Sequence, residues 1–228
     1  MDLLKNKKIL VLGAHSDDEV LGVGGTILKV KENNSVVDVL IVTDSASAQY
    51  NEKQKLDNRD SNLHQCCKIL KVDNVFQWDL PDMRLDTLSH LEMNKKLSFF
   101  IEKSDYDTVF IHHPNDINKD HQVLFDSLMV VCRPMPNQKV KSILTFYTPS
   151  STEWGSFEKN RMFCPNVFVD IENYMDLKLN ALSKYTDEVR EFPHPRSLEN
   201  VENVAKYFGS QVGLKFAEPF YLIRSVNS

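Results

Sequence analysis

The chain has 228 residues, a formal net charge of −5, 42% hydrophobic residues and 26% charged residues. Such a chain can bury one sizeable core, and its negative balance speaks against a nucleic-acid-binding surface. No apolar run approaches the roughly 20 residues of a membrane span, and residues 1–8 carry lysines but no small-residue cleavage site, so neither a span nor a leader is expected.

In chain order, residues 8–12 read as a buried strand and 17–33 as a helix that stops at Asn33-Asn34. A second strand over 35–43 is too uniformly apolar to have a wet face. A polar loop over 44–51, a helix over 52–71 and a short strand over 75–78 follow, and Leu80-Pro81-Asp82 turns the chain. The pattern then predicts a helix at 89–103, a strand at 106–112 and a helix at 120–131 that Pro134 and Pro136 forbid to continue. A strand at 142–147, a long insertion at 149–165 and a strand at 167–171 come next. Helices near 176–190 and 198–209 and a last strand at 216–224 complete the chain. Strands alternating with helices argue for one α/β domain over residues 1–228, with a doubly wound, mainly parallel sheet flanked by helices. Cys66, Cys67, Cys132 and Cys164 lack Cys-x-x-Cys spacing, which predicts reduced thiols in a cytoplasmic protein rather than a zinc knuckle or redox pair.

Two stretches carry chemistry. The first strand breaks at Gly13 into His15-Ser16-Asp17-Asp18-Glu19. The fourth ends in His112-His113-Pro114-Asn115-Asp116-Ile117-Asn118-Lys119-Asp120-His121. In a sheet of order 3-2-1-4-5 these two strands are neighbours at the switch point, where ligands bind outside the carboxyl ends. A catalytic zinc takes three protein ligands and keeps one position open. His15 and Asp18 can converge on one ion across a tight turn, and His121 can supply the third bond. Asp17 is then the neighbouring carboxylate that accepts a proton from the activated water, while Asp116 or Asp120 orients a ligand histidine.

The same residues also read as helix caps. Ser16 to Glu19 spells a capping box, and Asp116, Asn118 and Asp120 suit turns and caps. Capping leaves His15 and His121 unexplained, as it does the meeting of both clusters at one switch point.

Ala14-His15-Ser16-Asp17-Asp18-Glu19 resembles the Ala-His-Pro-Asp-Asp-Glu signature of the PIG-L/LmbE-type metal-dependent N-deacetylases, and residues 113–121 resemble that family's second motif. The similarity extends to Arg59, residues 164–171, the turn Pro193-His194-Pro195-Arg196-Ser197 and residues 217–220. The resemblance implies a Rossmann-like fold and zinc-dependent removal of an acyl group, usually acetyl, from an amino sugar, glycoside or nucleotide-sugar. By position it makes His15, Asp18 and His121 the ligands, Asp17 the base and Arg59 a substrate contact. Ser16 stands where the family usually has proline. Asn118 stands where some members have a histidine; an amide can donate a hydrogen bond to an oxyanion but cannot act as an acid. The leaving amine is then protonated by Asp17, His113 or His194, and the sequence leaves all three open.

His194 and Arg196, in a proline-flanked turn, can face a sugar hydroxyl or a phosphate, or form a plain surface turn. Trp154 and Phe157 in the insertion can cover a sugar ring or merely anchor the loop. Gly22, Gly24 and Gly25 lie inside the first helix, not in the strand–helix turn, so they predict close helix packing rather than a dinucleotide site. Rival readings are a nucleotide-dependent oxidoreductase, a non-haem Fe(II) enzyme, since two histidines and a carboxylate also suit Fe2+, and a sugar-binding protein without activity. Homo-oligomerisation is compatible with the sequence but not specified by it.

Overall fold

A computed structural model describes residues 4–5, 7–45, 53–155, 158 and 161–226, with backbone alone for 53–60. Seven strands, β1 (Lys8–Gly13), β2 (Val36–Thr43), β3 (Asn74–Leu80), β4 (Thr108–His112), β5 (Ser142–Phe146), β6 (Val167–Asp170) and β7 (Ala217–Ser225), form one sheet of order β3-β2-β1-β4-β5-β7-β6. Pairing is parallel from β3 through β5, and β7 runs antiparallel to both β5 and β6. The order 3-2-1-4-5 expected from the strand–helix alternation is therefore present, with β1 beside β4 in the register Ile9↔Thr108 and Val11↔Phe110.

Helices α1 (Asp18–Glu32), α2 (Lys53–Ile69), α5 (Met175–Leu182) and α6 (Leu198–Ser210) cover one face, where Ile9, Val11, Val39 and Ile41 are buried. Helices α3 (His90–Glu102) and α4 (Lys119–Val131) cover the other, over Leu10, Leu12, Leu40 and Val109. Alternate residues of one strand thus enter different cores, which is why β1 and β2 read as unbroken apolar runs.

The α1 glycines do what their place in the helix predicts. A Cβ on Gly22 would stand 2.3 Å from Phe146 Cδ2, and one on Gly25 2.7 Å from Ile171 Cγ2. Their absence lets α1 lie close against β5 and the end of β6.

The expected helix over 176–190 is shorter, ending at Leu182. Beyond it the chain turns, because Tyr185 is drawn into the core to donate a 2.6 Å hydrogen bond to Glu19 and Glu188 is held by Arg196 at 2.7 Å. The expected loop at 44–51 falls mostly outside the described residues, as does Phe157. Cys66, Cys67 and Cys132 are buried free thiols, and Cys164 is free and exposed. Among the described residues, no helix is long and apolar enough to cross a membrane.

Candidate active site

The β1–α1 turn is built to bring two consecutive carboxylates to the carboxyl edge of the sheet. Asp17, the residue before α1, adopts φ 113°, a left-handed backbone unusual for a residue with a side chain. Its carboxylate caps nothing, and Ser16 Oγ has no partner among the described residues, so the capping box is not formed; only Glu19 Oε2 accepts the Asp17 amide, at 3.1 Å. Ser16 instead uses its backbone N–H, donating to Ser45 Oγ at 2.8 Å, a bond the family's usual proline would lack. Asp18 folds back so that Oδ2 accepts the His15 amide at 2.7 Å.

The β4–α4 turn supplies the facing wall. His121 Nε2 lies 3.4 Å from His15 Nδ1 and 3.7 Å from Asp18 Oδ1. His15, Asp18 and His121 each offer one ligand atom, all within 4.8 Å of one another. The opposite ring nitrogens are held from behind: His121 Nδ1 is 2.9 Å from Asp116 Oδ2, and His15 Nε2 is 3.1 Å from Asp120 Oδ2. Asp120 is itself fixed by the amides of Met83 (2.8 Å) and Leu85 (3.0 Å). Two overlapping sets, His112-Asp116-His121 and His15-Asp82-Asp120, also bring their ligand atoms within 4.8 Å of one another, but each borrows a histidine from the first.

The donor set fits a divalent cation. Burial keeps His121 neutral, pushing its pKa down to about 3, so that a lone pair is available. Burial works against the charge on Asp18, yet His112 and His121 outweigh it and hold the carboxyl well below its usual range. Burial likewise opposes a charged His15, but hydrogen bonds with Asp120, Asp18 and Asp82 raise its pKa well above 6.5. A cation held there would take the place of that proton within the same carboxylate surroundings.

Asp17 is buried beside this trio, and Arg196 Nη1 donates to its Oδ2 at 3.0 Å. Burial raises the Asp17 pKa well above the usual carboxylate range; Arg196 pulls it down, while Asp18, Glu188 and Glu19 add to the rise. A cavity of about 200 Å³ opens over His15 and Asp17, lined also by Asp82, Asn118, Glu188 and Arg196 among others; Asp18 and His121 lie behind this lining. A larger one of about 700 Å³, walled by Tyr147, Phe163, Tyr207 and Phe208, holds none of them.

The remaining expected residues divide. Asn118 is the cap of α4, its Oδ1 accepting the Asp120 amide at 2.9 Å, and it also lines the cavity, with Nδ2 3.5 Å from Met83 Sδ. His113 is not brought to the site. Successive residues at a strand end face opposite ways, so His112 turns inward to Asp18 (3.2 Å) while His113 packs on Phe163, its Nε2 3.3 Å from the Arg161 carbonyl oxygen. His194 is not among the cavity residues either; its Nδ1 accepts the Arg196 amide at 3.1 Å. Arg196 reaches the cavity but is engaged by carboxylates. Arg59 lies in α2, its side chain outside the described residues. Trp154 is half exposed and lines a different cavity, with Pro114 and Arg161.

Sequence reasoning missed His112, Asp82 and Glu188. His112 was visible in the His-His pair, and Asp82 lies just past β3 at the same edge of the sheet, 3.2 Å from His15. Nothing local marks Glu188.

The chain is also similar to known proteins. The chain is 28% identical over 190 residues to the uncharacterised deacetylase YaiS of Escherichia coli K12, covering 79% of this chain and 91% of that one. It is 25% identical over 225 residues to the diacetylchitobiose deacetylase of Thermococcus kodakarensis, covering 93% and 81%. The N,N'-diacetylchitobiose deacetylase of Pyrococcus horikoshii shares the fold with a TM-score of 0.79 at 22% identity, covering 96% and 84%. Residues 10–132, more than half of the chain and inclusive of both turns, match the PIG-L (GlcNAc-PI de-N-acetylase) family, and the protein belongs to that family.

Proposed function

We propose that the protein is a zinc-dependent hydrolase that removes the acetyl group from the amide nitrogen of an N-acetylated amino sugar, free or in a glycoside. The observation that carries this reading is the convergence of His15, Asp18 and His121 within 4.8 Å, with Asp17 buried alongside and lining, together with His15, one cavity.

His15, Asp18 and His121 would hold the ion. When bound, zinc supplies Lewis-acid activation of a water and of the acetyl carbonyl. Asp17 takes a proton as water adds to the carbonyl carbon, a transfer its raised proton affinity favours, and passes it to the more basic leaving nitrogen. The products are acetate and the free amine. Asn118, fixed at the start of α4, can turn its Nδ2 from the weak contact with Met83 sulfur to donate to the developing oxyanion. Asp116 and Asp120 keep the rings of His121 and His15 aimed inward. With His113 turned away, Asp17 is the group best placed to serve as both base and acid.

The test is acetate release from a panel of N-acetylated sugars, chitobiosides and nucleotide-sugars, before and after chelation and with zinc or Fe(II) restored. Release that chelation abolishes and zinc restores supports the reading. An absence of acetate from every member of the panel refutes it.

A further inference from the structure

We infer that Arg196 positions Asp17 rather than binding substrate. Its guanidinium joins three segments. Nη1 donates to Asp17 Oδ2 at 3.0 Å and to Glu188 Oε2 at 2.7 Å, and Nε donates to Ser150 Oγ at 2.7 Å. The backbone that carries it is fixed as well. Its amide donates to His194 Nδ1, the Pro195 carbonyl accepts from Asn200 Nδ2 at 3.0 Å, and Ser197 caps α6 through the Asn200 amide.

The charge count argues the same way. One guanidinium lies against two carboxylates, so an approaching phosphate or carboxylate would meet Asp17 and Glu188 together with Arg196. A substrate-binding arginine for an anion would present its fork uncompensated. What this fork holds is a carboxylate on a strained backbone at φ 113°, with no hydrogen bond to Oδ2 from another side chain among the described residues. Binding Oδ2 leaves Oδ1 as the oxygen able to meet a proton. Glu188 and Ser150 stop the guanidinium from rotating away.

The inference rests on Asp17 being the base proposed above. It is tested in purified, zinc-loaded protein with N,N'-diacetylchitobiose as probe, comparing Arg196→Gln, Arg196→Lys, Asp17→Asn and the double variant Asp17→Asn/Arg196→Gln. Metal content and thermal unfolding of each variant establish that it is folded and loaded. We expect Arg196→Gln to lower kcat by about 100-fold, the scale of a misplaced catalytic group, with KM changed less than about threefold. Arg196→Lys should recover part of the loss, and adding Arg196→Gln to Asp17→Asn should cost nothing more. Calorimetric binding of the disaccharide to Asp17→Asn should be unchanged when Arg196→Gln is added.

Equal losses in both backgrounds, or a tenfold loss of sugar binding, would overturn the positioning role and make Arg196 a substrate contact. Wild-type rates in Arg196→Gln would overturn it too, leaving the deacetylase reading intact. No acetate from the wild type with any sugar of the panel overturns that reading and this inference together.

Discussion

Asp116 Oδ2 and His121 Nδ1 stand 2.9 Å apart, on the side of the ring away from the Nε2 that meets His15 and Asp18. The carboxylate therefore decides which nitrogen of His121 faces the site. A ligand histidine anchored this way loses roughly 10- to 100-fold in metal affinity when the anchor is weakened. Asp116→Asn should show a loss of that size in competition titrations with a chromophoric chelator. His121→Ala should leave the protein unable to retain zinc through gel filtration; full zinc occupancy in that variant would remove His121 from the ligand set.

The His15-Asp18-His121 trio was legible in the sequence because two short turns concentrated histidines where a doubly wound sheet opens its crevice. The sheet order followed from the strand–helix alternation and the apolar strands, which are local properties. The partners that finish the site were not legible. Glu188 reaches it only because the helix expected over 176–190 stops at Leu182 and the chain turns. Arg196 was noticed for its rigid turn, but its bond to Asp17 spans 179 positions of the chain and has no sequence signature. His112 and His113 show the same limit at closest range. The pattern holds two histidines, and only the pleat at the end of β4 says which one enters the site.

Helix α1 carries Asp18 at its start, and its approach to the sheet depends on Gly22. A methyl group there would fall 2.3 Å from the buried ring of Phe146, which neither residue can relieve without backbone movement. Gly22→Ala should destabilise the fold by about 1–3 kcal/mol, the usual cost of overpacking. Urea unfolding measures it. A variant as stable as the parent would show that α1 can shift without cost.

Asp17 and Asp18 are neighbours in sequence with opposite surroundings. Asp18 is held ionised among His112, His121 and His15, whereas burial drives the Asp17 carboxyl toward its protonated form. Asp17→Asn keeps the shape and the candidate ligand trio but removes the proposed proton acceptor. Turnover should fall by about 10²- to 10⁴-fold, with zinc remaining near one per chain by elemental analysis. Wild-type rates in that variant would move the base elsewhere.

Asp116 also gives the metal-free protein a pH signature. Burial raises its pKa from 3.8 to about 7, against a partial lowering by His112. A folded-state pKa above the unfolded one means the folded form binds the extra proton. Its contribution to stability is therefore fully present below pH 3.8 and lost as pH rises toward about 7. Asp17 shifts in the same direction and Asp18 in the opposite one, so the raw profile mixes several groups. The difference between wild type and Asp116→Asn, both with chelator, isolates the one carboxyl. The stability of the asparagine variant relative to wild type should rise between pH 4 and 7 and level off above about 7. Thermal unfolding across that range measures it. A flat difference would mean that Asp116 is ionised in the folded protein throughout, stabilised by a charged His121 in place of the neutral one described above.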